Sequence, residues 1–230
     1  MNIQSEFGFR CKQLRARSGM SQETLAFKSG LDRTYVSSIE RGERNVSLLS
    51  MVKIAAAFHV SLSYIFSIER FSDNQAYQPH DFNEPLSEKF KYIIDYDNRI
   101  LSFQINGLLN KTHTDQMTKT WFNLSSLMGG KEAKVFFDYR NMRASDNEPA
   151  VFSPEVLEKA VEFQEQLNQN FSQIVVLCNS EYMVHQMNYI ASLSSVPNRS
   201  SHLFGTDQDM AEHAYRLLGV NGNELIKFAV

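Results

Sequence analysis

Residues 21–45 read SQETLAFKSGLDRTYVSSIERGERN. The stretch is poor in large apolar residues, rich in small hydroxyls, and carries Lys28, Arg33, Arg41 and Arg44. Leu25 and Ala26 mark one helix and Val36 and Ile39 the next, at spacings that give each a single buried stripe. Ser21 and Asp32 stand where the exposed N–H groups of a first turn need an acceptor. Gly30 stands where the first of these helices must stop, and it can take positive φ in a tight turn. Ala26 is small enough to let the two helices approach closely. With Asp32 as the cap, Arg33, Thr34 and Tyr35 fill the first turn of the second helix and point outward. Ser37, Ser38 and Arg41 extend that exposed face.

The flanks supply the rest of a small helical core. Phe7, Cys11 and Leu14 recur at i, i+4 and i+7. Leu48, Met51, Val52, Ala55 and Ala56 mark a fourth helix, and Leu62 and Ile65 a short fifth. Ser47 and Ser61 are cap residues, and Gly42 is a second stop. Residues 1–69 therefore read as an all-α, five-helix domain. The Gly30 turn between two capped helices is the layout of a helix-turn-helix, whose second helix enters the major groove of duplex DNA with its N-terminal residues on the base edges. Arg33 can donate two hydrogen bonds to guanine O6 and N7. Thr34 offers a methyl to thymine and a hydroxyl to phosphate. Lys28, Arg41 and Arg44 are placed for salt-sensitive phosphate contacts.

Through SQETLA, GLDRTYVSSIERGERN and SLLSMVKIAAAFHV, residues 7–66 resemble the Cro/repressor-type (XRE) DNA-binding domain, and within it the small controller proteins of restriction–modification systems. The resemblance implies that Gln22 holds a phosphate or base at the start of the second helix. It implies that Arg33, Thr34, Tyr35 and Ser38 face the major groove, and that Arg44 and Asn45 touch backbone or groove edges. It also implies an internal ion pair between Arg15 and Glu40, bracing the first helix against the third.

Residues 70–88, RFSDNQAYQPHDFNEPLSE, hold two prolines and no period, and read as a linker. Beyond it, residues 89–230 change pattern. KYIIDYD (91–97) and ILSFQIN (100–106) suggest a hairpin. A helix over 112–128 ends at Gly129-Gly130. Strands at 133–139, 172–178 and 200–205 alternate with helices at 153–169, 180–194 and 206–219. The order β-β-α-β-α-β-α-β-α implies an open, mixed or mostly parallel sheet covered by helices. Through ILSFQINGLL, AKVFFDYRN and HLFGTDQDMAEHAYRLLG this part resembles the STAS-like fold of anti-sigma-factor antagonists. It departs from the phosphorylated members. Asp138 ends a strand and Asp146 follows, but Asn147 stands where those proteins carry the phosphoacceptor serine, with Ser145 nearby.

Nothing in the pattern makes an enzyme. His59, His80, His113, His185, His202 and His213 form no nucleophile or metal signature, and Asp207 and Asp209 fit the first turn of a helix, where the dipole favours acids. Trp121, Phe122 and Leu127 read as core or interface. No catalytic residue, metal or cofactor is expected. Cys11 and Cys178, far apart, read as reduced, buried, small apolar residues.

The net charge of −3 hides an asymmetry. Residues 1–69 carry nine Lys and Arg against six Asp and Glu, and residues 70–230 carry fourteen against twenty. A basic head on an acidic body turns the head toward a polyanion. No apolar run has the length of a membrane span, and the N-terminus lacks a signal-peptide layout, which places the chain in the cytoplasm. The sequence therefore reads as a transcription regulator, a homodimeric repressor reading an inverted repeat in double-stranded DNA. Its C-terminal domain dimerises or binds a small-molecule or protein effector. The alternative is a protein-interaction module of the STAS-like type, anchored by the DNA-binding head.

Overall fold

The structure, a computed structural model, describes residues 2–67, 70–128 and 132–222. The Gly129-Gly130 helix stop lies outside the described residues, and so does the Glu69 side of the 69/70 edge of the linker. Two compact units are present: Met1–Gln78 with Val151–Pro154, and Pro79–Ala150 with Glu155–Val230.

The first unit holds five helices: α1 (Ile3–Arg17), α2 (Gln22–Ser29), α3 (Arg33–Glu40), α4 (Leu48–Ala57) and α5 (Leu62–Ile65). Each N-terminus is closed by a side chain. Asn2 accepts from Gln4 N, Ser21 from Thr24 N, Asp32 from Thr34 N, Ser47 from Ser50 N and Ser61 from Tyr64 N. Gly30 ends α2 at φ +60°, a left-handed conformation that glycine adopts without strain. Phe7, Cys11, Leu14, Leu25, Ala26, Val36, Ile39, Ile54 and Ala55 are buried and form the core. Gly8 lets α1 lie directly on α3, since a Cβ built there would sit 2.1 Å from the Ile39 carbonyl oxygen.

Segment 70–88 divides between the units. Residues 70–78 run back along α1, with Lys12 bonded to Asp73 at 2.7 Å and Gln13 donating to the Phe71 carbonyl. The remainder carries a 3-10 turn, Pro79–Phe82, and a short helix α6, Leu86–Lys89. Lys89 is buried, and its Nζ donates to the carbonyls of Asp81 (2.6 Å) and Leu108 (3.0 Å).

The second unit is built on a five-stranded sheet in the order β1 (Phe90–Asp95), β2 (Ile100–Ile105), β3 (Lys134–Asp138), β4 (Gln173–Leu177) and β5 (Ser200–Leu203). β1 runs antiparallel to β2, and β2 to β5 are parallel. The crossovers are α7 (Lys111–Met128), α8 (Pro154–Asn170) and α9 (Glu181–Leu193), and α10 (Asp207–Leu218) follows β5. Strands that advance one position per crossover, each right-handed, stack their helices on one face. There Phe137 packs toward Phe163, which with Phe171 surrounds the buried Trp121. On the opposite face Met210, Ala211, Ala214 and Leu218 of α10 cover Ile100, Phe136, Val175 and Leu177. Of the three residues read as core or interface, Trp121 lies in the core, while Phe122 and Leu127 are exposed. Both cysteines are free and buried, and burial pushes both thiols up. Among the described residues no helix is long and apolar enough to cross a membrane.

Candidate nucleic-acid interface

The exposed side of α3 begins at its cap. The Thr34 N–H (2.7 Å) and the Thr34 hydroxyl both donate to Asp32, and these bonds hold its carboxyl below the ordinary range. This fixes the first turn, where Arg33 and Thr34 are exposed and Tyr35 is half-buried. The Arg33 guanidinium makes no hydrogen bond or ion pair with a described residue, so its five donors are available to a ligand. A guanidinium projecting from the first turn of a solvent-facing helix is the group that pairs with a guanine edge.

At the other end of α3 lies a part-buried ionic cluster. Arg15 Nε meets Glu40 Oε1 at 2.6 Å, Arg15 Nη2 meets Glu40 Oε2 at 3.0 Å, and Arg15 Nη1 donates to the Met20 carbonyl at 3.0 Å. The side chains are 16% and 4% exposed. The ion pair expected between α1 and α3 is present. Gln22 joins it, its Nε2 donating to Glu40 Oε2 at 2.8 Å. Its amide nitrogen is thus turned inward in this structure, bracing α2 on α3.

Ser38 departs from the expected exposed face. It is 5% exposed, its hydroxyl donates to the Tyr35 carbonyl at 2.8 Å, and it accepts from Arg44 Nε at 3.2 Å. A hydroxyl satisfied by its own helix can be buried cheaply, which the polarity of serine conceals. Ser38 therefore positions Arg44 and presents little surface of its own. Arg41 is exposed, but its Nε and Nη2 meet Glu43 at 2.8 and 2.7 Å, and Nη1 donates to Ser37 at 2.6 Å. Its charge is locally matched, and it reaches a phosphate only by exchanging Glu43. Arg44 and Asn45 are exposed beyond α3, and Lys28 is half-buried in the last turn of α2. The roles of Ser37 and Glu43 were missed from sequence; the signal was the Arg-x-Glu spacing of Arg41 and Glu43.

Among its described residues the second unit offers no comparable surface. At the C-terminal ends of the parallel strands, where open α/β sheets bind ligands, Asp138 accepts from Arg140 Nε (2.9 Å) and Nη2 (2.8 Å), and Arg140 also meets Asp207 at 3.3 Å. These charges satisfy one another. His80 Nε2 lies 2.9 Å from Ser145 Oγ, a pairing the sequence did not suggest. The Asp81 carboxylate lies 3.8 Å from the same nitrogen, not at the other ring nitrogen where the orienting acid of a triad stands. Among the described residues no cluster of His, Cys, Asp and Glu could hold a metal ion.

A capped helix that projects an uncommitted arginine, braced through a glycine turn on a second helix, defines a helix-turn-helix protein of the DNA-binding class. Comparison with known proteins agrees. The helix-turn-helix family HTH_3 matches residues 12–65. Control protein C.MunI of a Mycoplasma species is 48% identical over 67 residues, which span 29% of this chain and 90% of that protein. Control protein C.BamHI of Bacillus amyloliquefaciens is 53% identical over 60 residues, 26% of this chain and 74% of that protein. The crystal structure of the restriction–modification controller protein C.AhdI from Aeromonas hydrophila matches at 50% identity and a TM-score of 0.28, covering 28% of this chain and 97% of that one. The chain belongs, through its N-terminal unit, to the helix-turn-helix family of transcriptional regulators that includes these control proteins.

Proposed function

We propose that the protein is a homodimeric repressor that reads an inverted repeat in double-stranded DNA, with α3 in the major groove. The observation that carries this reading is Arg33, exposed, unengaged and set in the first turn of a capped helix. Thr34 and Tyr35 supply neighbouring contacts, and Gln22, Lys28, Arg41, Arg44 and Asn45 the flanking backbone contacts, with Ser38 aligning Arg44. Pairing of two copies is supported by Leu48, Leu49 and Val52, three exposed apolar residues at i, i+1 and i+4 on α4. One such head binds weakly, and two joined by symmetry read half-sites about one helical turn apart. The relatives' designation as control proteins supports a regulatory role, and the action we assign is occlusion of a promoter in the cytoplasm. The C-terminal domain we read as STAS-like in topology and non-catalytic, joining copies or receiving an effector. Selection from random duplex DNA with the full-length protein tests this. Enrichment of an inverted repeat is expected, and enrichment of no motif would overturn the reading.

A further inference from the structure

The two edges of the sheet differ. A sheet edge presents unpaired N–H and C=O groups, and natural edges are blunted by shortness, polarity or bulges. β5 follows this rule: it has four residues, three of them Ser200, Ser201 and His202. β1 does not. Its six residues, FKYIID, pair with β2 in unbroken register, so no bulge turns the edge away. Apolar residues lie on both of its faces, and Tyr92 is 47% exposed. Among the described residues nothing pairs with its outer side.

We propose that the β1 edge is a self-association surface, on which a second copy of this chain pairs β1 antiparallel to β1 about a two-fold axis at Ile93. The charge pattern selects the partner and the register. In an antiparallel pair centred there, Ile93 faces the partner's Ile93, Tyr92 faces the partner's Ile94, and Lys91 faces the partner's Asp95. The last contact occurs twice, flanking the isoleucines on one face, while the Tyr92–Ile94 contacts occupy the other. Cross-strand pairs of opposite charge and of aromatic with β-branched residues are the ones that stabilise a sheet. Of the neighbouring two-fold registers, the one centred on Tyr92 sets Lys91 against Ile93, and the one centred on Ile94 sets Ile93 against Asp95 and leaves Lys91 only Asp97, beyond the strand. Lys91, which in isolation would protect the edge, is thus neutralised only by another copy of the same strand. Asp95 stays ionised for this role, because the Asn98 side chain (2.8 Å) and backbone N–H (2.9 Å) hold its carboxyl below the ordinary range. The inference rests on the dimeric reading above and adds to the α4 patch of the first unit a contact in the second.

Cross-linking and sedimentation of the full-length protein test it. Because Cys11 and Cys178 are buried, a thiol introduced by Ile93→Cys is the accessible one. A short bismaleimide is expected to join two Ile93→Cys chains covalently and to leave the opposite-edge control, Ser201→Cys, unlinked. Lys91→Glu and Asp95→Lys each create two like-charge pairs, and each is expected to raise the dimer dissociation constant about tenfold. An equimolar mixture of the two variants is expected to recover the dimer, because mixing restores opposite charges at both pairs. A dimer that neither charge variant weakens, with no cross-link at position 93, would overturn this surface while leaving the dimeric reading intact. A protein that sediments as a monomer would overturn both.

Discussion

Arg33 and Arg44 differ in what surrounds them, and that difference sets their expected roles. Arg33 has no partner among the described residues, whereas Arg44 is held by Ser38. Arg44→Ala and Lys28→Ala are each expected to weaken binding to specific and unrelated duplexes alike, and to lower the slope of log K against log salt by roughly one. A titration series in salt checks this; an unchanged slope would remove these residues from the phosphate contacts. Glu40 works inside the fold. Its removal strands the nearly buried Arg15 and the amide of Gln22. Glu40→Ala is expected to cost about 2 kcal/mol by thermal melting, and the double replacement of Arg15 and Glu40 by methionine to cost less than the single. Unchanged melting with lost DNA binding would move Glu40 into the interface. In the second unit the imidazole of His202 is half-buried on β5. Burial pushes its pKa down to about 4. Nδ1 pairs with Asn188 Oδ1 at 2.7 Å, and Nε2 has no partner among the described residues. A proton taken up at Nε2 finds no acceptor, so the folded state resists protonation that the unfolded chain accepts below its ordinary value near 6.5. Stability is therefore full above about pH 6.5 and falls as the pH drops toward 4, by about 1–2 kcal/mol between pH 7 and 5. Denaturant melts of the protein and of His202→Gln across that range are expected to show a shallower slope in the variant, the remainder including His113, whose pKa burial also lowers.

At the scale of elements, contact between α1 and α3 depends on Gly8. A methyl there would meet main-chain oxygen, which has no rotamer to give way. Gly8→Ala is expected to destabilise by on the order of 2 kcal/mol even after the helix-propensity gain of alanine, lowering Tm by about 10 °C. Equal or higher Tm would mean that the helices separate without cost. The helices of the first unit were legible because their signals are local. Ser21, Asp32, Ser47 and Ser61 each cap the turn that follows, and Gly30 takes the left-handed turn expected of it. The alternation of strands and helices in the second unit was legible for the same reason. What escaped were contacts between positions distant in sequence. Arg10, on the buried side of α1, is 1% exposed, with its guanidinium 5.0 Å from the Tyr64 ring and 5.8 Å from the Phe71 ring. Lys89 is buried against main-chain carbonyls, which leave no mark in composition. Both anchor the stretch that looked like a plain linker. In the interface the exposed arginines were legible, while the inward amide of Gln22 and the buried hydroxyl of Ser38 were not, since a polar residue satisfied inside the fold has the same letter as one facing solvent.

At the scale of the molecule, a basic head of known family precedes an acidic mixed sheet with helices on both faces. Discrimination between operators belongs to the first turn of α3, and spacing of half-sites to whatever joins the copies. The most direct test of the account is a selection from random duplex DNA run side by side with the full-length protein and its Arg33→Ala variant. Wild type is expected to enrich an inverted repeat with a guanine fixed in each half-site. Arg33→Ala is expected to bind about ten- to a hundredfold more weakly and to lose preference at that one position, keeping the rest of the motif. If Arg33→Ala selects the same motif with the same affinity, α3 does not read the bases through its first turn, and the account is wrong at its centre.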